Sequence, residues 1–194
     1  MQIEDMASGD ELTPRNRIAL AYAPRRARGP WAALLLLEQR LADAARPGRE
    51  PLMVQLRLAW WRDRLGEDAA RWPVSEPVLA HLRTWQGQHQ SLAALVNGWE
   101  ALIVSDDGGQ ELAHARAEAY VALANLLCAG KFEAIRAAAA QLDDPHQAPL
   151  AHALPRAMRP LAVLCALARR DARGGEPKPF ADLARIVRAG LLGR

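Results

Sequence analysis

Two arginines and a tryptophan recur at helical spacing in the segment Glu50–Leu65. Arg57, Trp61 and Arg64 stand at i, i+4 and i+7, which places them on one side of a helix. On such a side the two guanidinium groups could bind an anion while the flat indole contacts an apolar part of the ligand. A solvated surface with salt bridges and a half-covered Trp61 fits the same spacing. The residues alone leave both interpretations open.

The helix that must position these residues begins at Pro51, which suits a first helical turn, and meets no breaker before Gly66. A second side of this helix is apolar and is predicted to face the core. Trp60 therefore belongs to the predicted core, whereas Trp61 lies between the two guanidinium groups. The predicted core side consists of Leu52, Met53, Leu56, Ala59 and Trp60.

Carboxylates that could hold a metal ion are few. Glu38 and Asp43 are five residues apart, about 140° around a helix, so they are poorly placed to share one ion. Glu38 is predicted to be a structural or partner-facing carboxylate. Asp106 and Asp107 precede two glycines and are predicted to be turn residues, with cation binding as the alternative. The five histidines have no i, i+4 pairing, and no glycine-rich nucleotide loop occurs.

Composition restricts the class of protein. With 194 residues, 51% of them hydrophobic, the chain is long enough for one domain with a buried core. The longest strictly apolar run, Trp31–Leu37, is far shorter than the roughly 20 residues of a membrane span. The acidic N-terminus does not have the layout of a signal peptide. Cys128 and Cys165 are distant in sequence and are expected to be two buried thiols in a reducing compartment.

Basic residues are concentrated towards both ends, although the net charge is only +3. Residues 14–28 contain five arginines and no acid, and residues 156–194 contain nine basic and three acidic side chains. Such patches can contact anionic lipid, at about 1 kcal/mol per basic residue, or nucleic acid. A genome that favours arginine codons would also explain them. We expect no nucleic-acid partner and treat peripheral membrane contact as an expectation.

Capping residues and breakers divide the chain into a loose tail at 1–12 and nine helices. Alanine and leucine dominate, and no stretch alternates with period two, so the predicted fold class is all-α. Thr13 is predicted to cap the first helix, and Pro155 and Pro160 are predicted to kink the eighth. The predicted helices cover about residues 14–23, 30–45, 51–72, 77–86, 91–104, 110–128, 132–142, 149–172 and 179–192.

A family resemblance extends this reading. Glu50-Pro-Leu followed by Arg57-Leu-Ala-Trp-Trp-Arg62 is similar to a helix of the squalene/phytoene synthase family. Both its bacterial phytoene-synthase-like members and its non-catalytic branch, the mitochondrial complex I assembly factor, have a similar helix. Shorter similar segments lie at residues 20–24, 33–38, 73–74, 97–100 and 154–164. The resemblance implies a single-domain helical bundle of the isoprenoid-synthase type over residues 13–194, in shortened form.

The resemblance also carries an expectation about activity. Enzymes of that family hold Mg²⁺ between two aspartate-rich motifs on facing helices, and neither motif occurs in this sequence. We therefore expect a non-catalytic relative, a pseudoenzyme without catalytic residues or cofactor. It would bind a prenyl lipid or a protein partner through Arg57, Trp61, Arg64 and Glu38.

Two other hypotheses stay open. One is an active Mg²⁺-dependent head-to-head prenyl-diphosphate transferase of isoprenoid biosynthesis, with Glu38, Asp106 and Asp107 as ligands. The other is a basic interaction module for a membrane surface or nucleic acid. The expected location is the cytoplasm, with peripheral contact at the inner membrane.

Overall fold

Prolines and glycines set the ends of most helices in the structure, which is a computed structural model. It describes residues 12–85, 87–104, 109–174 and 178–194. These ranges contain α-helices and short 3₁₀ turns but no strand, which confirms the all-α prediction. The nine α-helices within the described ranges are α1 (Pro14–Ala21), α2 (Arg28–Ala44), α3 (Pro51–Gly66), α4 (Pro77–Leu82), α5 (Ala93–Val104), α6 (Gln110–Leu126), α7 (Phe132–Asp143), α8 (Arg159–Ala172) and α9 (Pro179–Leu192).

Local sequence signals account for several helix ends. The Thr13 hydroxyl accepts a hydrogen bond from the backbone N–H of Asn16, so the predicted cap of α1 is confirmed. The prediction of a long kinked helix over residues 149–172 is wrong, because α8 begins only at Arg159. Pro155 precedes a 3₁₀ turn, and Pro160 lies in the first turn of α8, where the missing N–H disturbs no helical hydrogen bond.

The chain divides into two compact units. The first comprises residues 1–28 and 123–194, and the second comprises residues 29–122. In the first unit α8 is central and packs against α1, α7 and α9. Leu12, predicted to belong to the tail, is buried in this unit, while residues 1–11 lie outside the described ranges. The prediction of a single domain stays a prediction.

The second unit is built on α2, whose residues from Pro30 to Leu37 are all buried. The indole N–H of Trp85 donates to the backbone carbonyl of Pro30 at 3.1 Å. The ring of Trp31 packs against the ring of Tyr120 from α6, with centroids 5.6 Å apart. Large aromatic side chains therefore fill the space around α2 and supply much of its apolar burial.

The two cysteines have different environments, so the prediction of two buried thiols is only half right. Cys128 is exposed, whereas Cys165 is buried in α8 and its thiol donates to the carbonyl of Ala138. Burial raises the pKa of Cys165 from 9.0 to about 12, an effect that the nearby Arg169 and Arg15 only partly oppose.

We expect thiol labelling to separate these cysteines. A maleimide at neutral pH should modify Cys128 and spare Cys165 until the chain unfolds, because the thiolate is the reactive species. Because burial raises the pKa of Cys165 above 9.0, the folded chain is favoured while this thiol is protonated. The contribution to the free energy of unfolding is complete below pH 9.0 and is lost as pH rises towards about 12. Mass spectrometry of native and denatured protein checks the labelling. Two rapid modifications of the native chain would contradict the burial.

The contact between α5 and α6 depends on a glycine. A methyl group at Gly98 would stand 2.8 Å from the Cα atom of Leu112, which is too close for any real contact. We expect Gly98→Ala to lower the free energy of unfolding by about 1–3 kcal/mol, because the two helices must move apart.

Gly66→Ala is the matched control. Gly66 ends α3 and has open space around it, so alanine there should leave stability unchanged or raise it by up to about 1 kcal/mol. Urea denaturation of both variants measures the difference. Equal stabilities for the two variants would refute the close approach of α5 and α6.

Candidate functional site

Helix α3 presents a different face to the core from the one that the sequence predicted. Trp61 is buried with 6% of its surface exposed, and Trp60 is 37% exposed. The predicted assignment of the two indoles is therefore reversed. Leu52, Met53 and Leu56 of the predicted core side are exposed as well. The buried residues of α3 are Val54, Leu58, Trp61 and Leu65.

A charged side chain explains which face is buried. At about 100° per residue, the four buried residues occupy an arc of about 60° that contains no charged group. The competing side contains Asp63, which lies between Leu52 and Leu56 in angle. Burying that side would desolvate a carboxylate, at a cost of several kcal/mol, and Asp63 is exposed in the structure.

Contacts with α5 hold the chosen face in place. Helix α3 packs against α5 within the second unit. At the edge of this contact the Nε of Arg62 donates to the side-chain carbonyl of Asn97 at 2.9 Å, and its guanidinium also pairs with Glu100. These contacts help to determine which face of α3 points away from α5.

We call the exposed residues Leu52, Met53, Leu56 and Trp60 the apolar stripe of α3. Each has between 37% and 58% of its surface exposed. The Trp60 ring meets the Trp61 ring edge-on, with centroids 4.9 Å apart, and the guanidinium of Arg64 lies 5.8 Å from the Trp60 centroid. A continuous stripe of large apolar side chains on the surface is typical of a binding face.

An open groove runs beside this stripe. Its cavity volume is about 760 Å³, and it carries four arginines against two acidic side chains, Asp43 and Glu76. We call it the arginine groove. Its defining residues are Arg40, Arg46, Arg49, Arg57, Trp60 and Trp61.

The arginines of the groove differ in their partners. Arg46 forms an ion pair with Asp43 at 2.5 Å, and the Glu76 carboxylate accepts from the backbone N–H of Val78. Within the described ranges, Arg40, Arg49 and Arg57 are exposed and form no ion pair or hydrogen bond through their side chains. Three guanidinium groups are therefore available to an incoming anion.

The structure brings together only some of the predicted site residues. Arg57 and Trp61 line the arginine groove, but Arg64 and Glu38 are not among its lining residues. Arg64 forms an ion pair with Glu67 at 2.9 Å and stacks over Trp60. Arg64 thus matches the interpretation as a solvated, salt-bridged surface, and anion binding by Arg57 stays a prediction.

Glu38 lies within the second unit, where it links α2 to α6. One carboxylate oxygen accepts from the Nε of Arg116 at 3.0 Å, and the other accepts from the hydroxyl of Tyr120 at 3.2 Å. The Glu38 and Arg116 side chains are 17% and 16% exposed. This arrangement is that of a structural carboxylate, and the predicted use of Glu38 in ligand or partner binding stays a prediction.

The predicted cation alternative concerns a different part of the chain. Asp106 and Asp107 lie outside the described residues. Within the described ranges, no three His, Cys, Asp or Glu side chains are grouped so that they could hold a metal ion. Mg²⁺ binding by Glu38, Asp106 and Asp107 stays a prediction.

Sequence reasoning missed Arg40, Arg46 and Arg49 as site residues. Arg40 lies in α2, and Arg46 and Arg49 lie in the turn between α2 and α3. A weak signal was present, because three arginines occur within ten residues just before the helix that carries Arg57. Only the fold shows that this turn and α3 border one groove.

Comparison with known proteins gives no assignment, because no family model, curated protein or solved structure matches this chain. The resemblance to the squalene/phytoene synthase family therefore stays an expectation from sequence. No helix in the described ranges has the length and apolar character needed to cross a membrane.

The pairing of Glu38 predicts a measurable contribution to stability. Glu38→Gln should lower the free energy of unfolding by about 1–3 kcal/mol, because the partly buried contact with Arg116 loses its negative charge. Asp43→Asn on the same helix is the control, since its ion pair with Arg46 is exposed and such pairs contribute about 0–1 kcal/mol. Urea denaturation compares the two variants. A loss for Glu38→Gln no larger than for Asp43→Asn would contradict the structural role.

Proposed function

We propose that this chain is a non-catalytic binding protein that holds an amphipathic anionic lipid in the arginine groove and along the apolar stripe of α3. The observation that carries this proposal is the juxtaposition of Arg40, Arg49 and Arg57, free of ion pairs in the described part of the chain, with an exposed row of large apolar side chains.

The anionic end of the ligand is assigned from the groove. Guanidinium groups donate paired hydrogen bonds that match the oxygens of a phosphate, and several of them can share a phosphate or diphosphate. The lining carries four arginines and two acids, so its net charge favours an anion. Trp60 and Trp61 give the same groove an apolar wall.

The apolar end of the ligand is assigned from the stripe. Trp60 belongs to both the groove and the stripe, so a ligand whose head lies among the arginines can continue along Leu56 and Leu52. Removing such side chains from water contributes about 25 cal/mol per Å² of apolar area. A phosphate with a long hydrocarbon chain satisfies both surfaces, whereas a free phosphate satisfies only one.

The choice of a prenyl lipid within this class rests on the sequence resemblance alone. The Trp-Trp helix that resembles the squalene/phytoene synthases is the helix that carries Arg57, Trp60 and the stripe. A prenyl phosphate has the required anionic head and apolar chain. We further propose that binding takes place in the cytoplasm, at or near the inner membrane, where such lipids are found.

Binding of farnesyl phosphate by the purified chain tests the proposal. We expect Arg49→Glu and Arg57→Glu together to weaken binding about tenfold or more, since two guanidinium donors become repelling carboxylates. Leu56→Glu should weaken it as well without unfolding the chain, because Leu56 is already exposed. Isothermal titration calorimetry measures the affinities, and mass spectrometry of the purified protein looks for a co-purifying isoprenoid.

Arg71→Glu is the matched control, because Arg71 is exposed in the same unit and does not line the groove. It should leave the affinity for farnesyl phosphate within about twofold. Equal affinity of the groove variant and the parent would refute the site. Binding of a protein that competes with farnesyl phosphate would assign the stripe to a protein partner. Mg²⁺-dependent turnover of a prenyl diphosphate would refute the non-catalytic role and favour the transferase alternative.

A further inference from the structure

A second concave site lies in the first unit, in a part of the chain that the proposed function does not use. Its cavity volume is about 740 Å³, within the range of small-molecule sites. Helices α8 and α9 form two walls, and Pro149 and Leu150 from the segment after α7 form a third. Five arginines and no acidic side chain line it. We call it the unit 1 pocket.

A buried amide holds one of these arginines in position. Gln141 of α7 is only 3% exposed, and its side-chain carbonyl accepts from the guanidinium of Arg169 at 2.5 Å. The amide N–H of Gln141 donates to the carbonyl of Ala148 at 2.9 Å, and Arg169 reaches the same carbonyl. Arg169 is therefore oriented before any ligand arrives, which lowers the entropic cost of binding.

One carboxylate orients two more arginines. Asp182 of α9 pairs with Arg173 of α8 at 3.0 Å and with Arg185 of its own helix at 3.1 Å. Both guanidinium groups keep further N–H donors, because an arginine has five. The Asp182 side chain is 15% exposed, so it acts as a brace between α8 and α9.

Arg188 completes the positive charge. It is exposed on α9 and has no ion pair within the described residues. Asp182 offsets one charge of the group formed by Arg169, Arg173, Arg185 and Arg188, which leaves an excess of positive charge. A dianion satisfies this excess better than a single carboxylate does.

The floor of the pocket is apolar and formed by small side chains. Ala162, Cys165, Ala166 and Ala189 line it, and their small size leaves space above them. The Cys165 thiol points to the carbonyl of Ala138 and is not free to react. A ligand that combines a strongly anionic group with a compact apolar body matches both parts of this lining.

We propose that the unit 1 pocket binds a phosphate monoester that bears an apolar group. The phosphate lies among Arg169, Arg173, Arg185 and Arg188, and the apolar group covers the alanine floor. A nucleic acid is the less suitable ligand, because it needs an extended surface and this site is concave. This inference concerns the other unit and does not depend on the lipid in the arginine groove.

Hexyl phosphate and inorganic phosphate are the probes. Calorimetry uses the full chain carrying Arg49→Glu and Arg57→Glu, so that the arginine groove does not contribute. We expect hexyl phosphate to bind about tenfold more tightly than inorganic phosphate, because its chain covers the floor. Binding to vesicles of neutral lipid, with and without phosphatidic acid, is measured as a second test. Binding of hexyl phosphate indicates a free ester, and binding only of the phosphatidic acid vesicles indicates a lipid headgroup.

Two variants test the contributions of the arginines and of the alanine floor separately. Arg188→Ala should weaken every phosphate probe at least about fivefold. Ala166→Phe places a ring in the pocket at a half-buried position and should remove most of the advantage of hexyl phosphate while inorganic phosphate still binds. Arg17→Ala, an exposed arginine of the same unit outside the pocket, should change nothing.

Three results would overturn the inference. The first is that no phosphate probe binds. The second is that Arg188→Ala and Ala166→Phe leave binding unchanged. The third is that a short DNA duplex displaces hexyl phosphate at a lower concentration than inorganic phosphate does. The effect of Arg49→Glu and Arg57→Glu on farnesyl phosphate binding tests the arginine groove. Hexyl phosphate binding in the chain that carries those two substitutions tests the unit 1 pocket, so the two proposals fail independently.

Discussion

Helix α3 has two apolar sides and can bury only one, and the candidate site depends on which side that is. Val54, Leu58, Trp61 and Leu65 face the core, and each such burial contributes about 1.5–3 kcal/mol. The other side offers a similar apolar area, so area alone does not decide. Asp63 decides, because its carboxylate would have to enter the core with the competing stripe. The arginine groove and the exposed stripe are consequences of that choice.

Sequence reasoning predicted the all-α class and several helix starts correctly, but it predicted the wrong buried face for α3. Prolines, glycines and the Thr13 cap act locally, so the helix starts at Pro14, Pro51 and Pro179 follow directly from the residues. The Trp60 and Trp61 assignments required a comparison of two whole helix sides. The number of apolar residues favoured the side of Leu52 and Leu56, which is exposed. Only Asp63, which lies within that side, indicated that the other side is buried.

The site itself was predictable only in part. Arg57 and Trp61 were selected because they share a helix side, and the structure places both along the groove. Arg40 and Arg49 come from another helix and a turn, and no spacing rule relates them to α3. In the same way, Arg64 was selected by periodicity but is paired with Glu67 in the next turn. Periodicity finds neighbours on one helix, whereas a site is formed by neighbours across helices.

The arginines of the groove add little to the folding free energy, and under the proposed function they bind an anion. Exposed ion pairs contribute about 0–1 kcal/mol each, and Arg40, Arg49 and Arg57 form none in the described part of the chain. Like charges around one depression repel each other, which lowers the stability of the folded chain. An anion in the groove removes that repulsion and stabilises the fold by mass action. The buried face of α3 contains none of these arginines, so their hydrogen-bond donors remain available to a ligand.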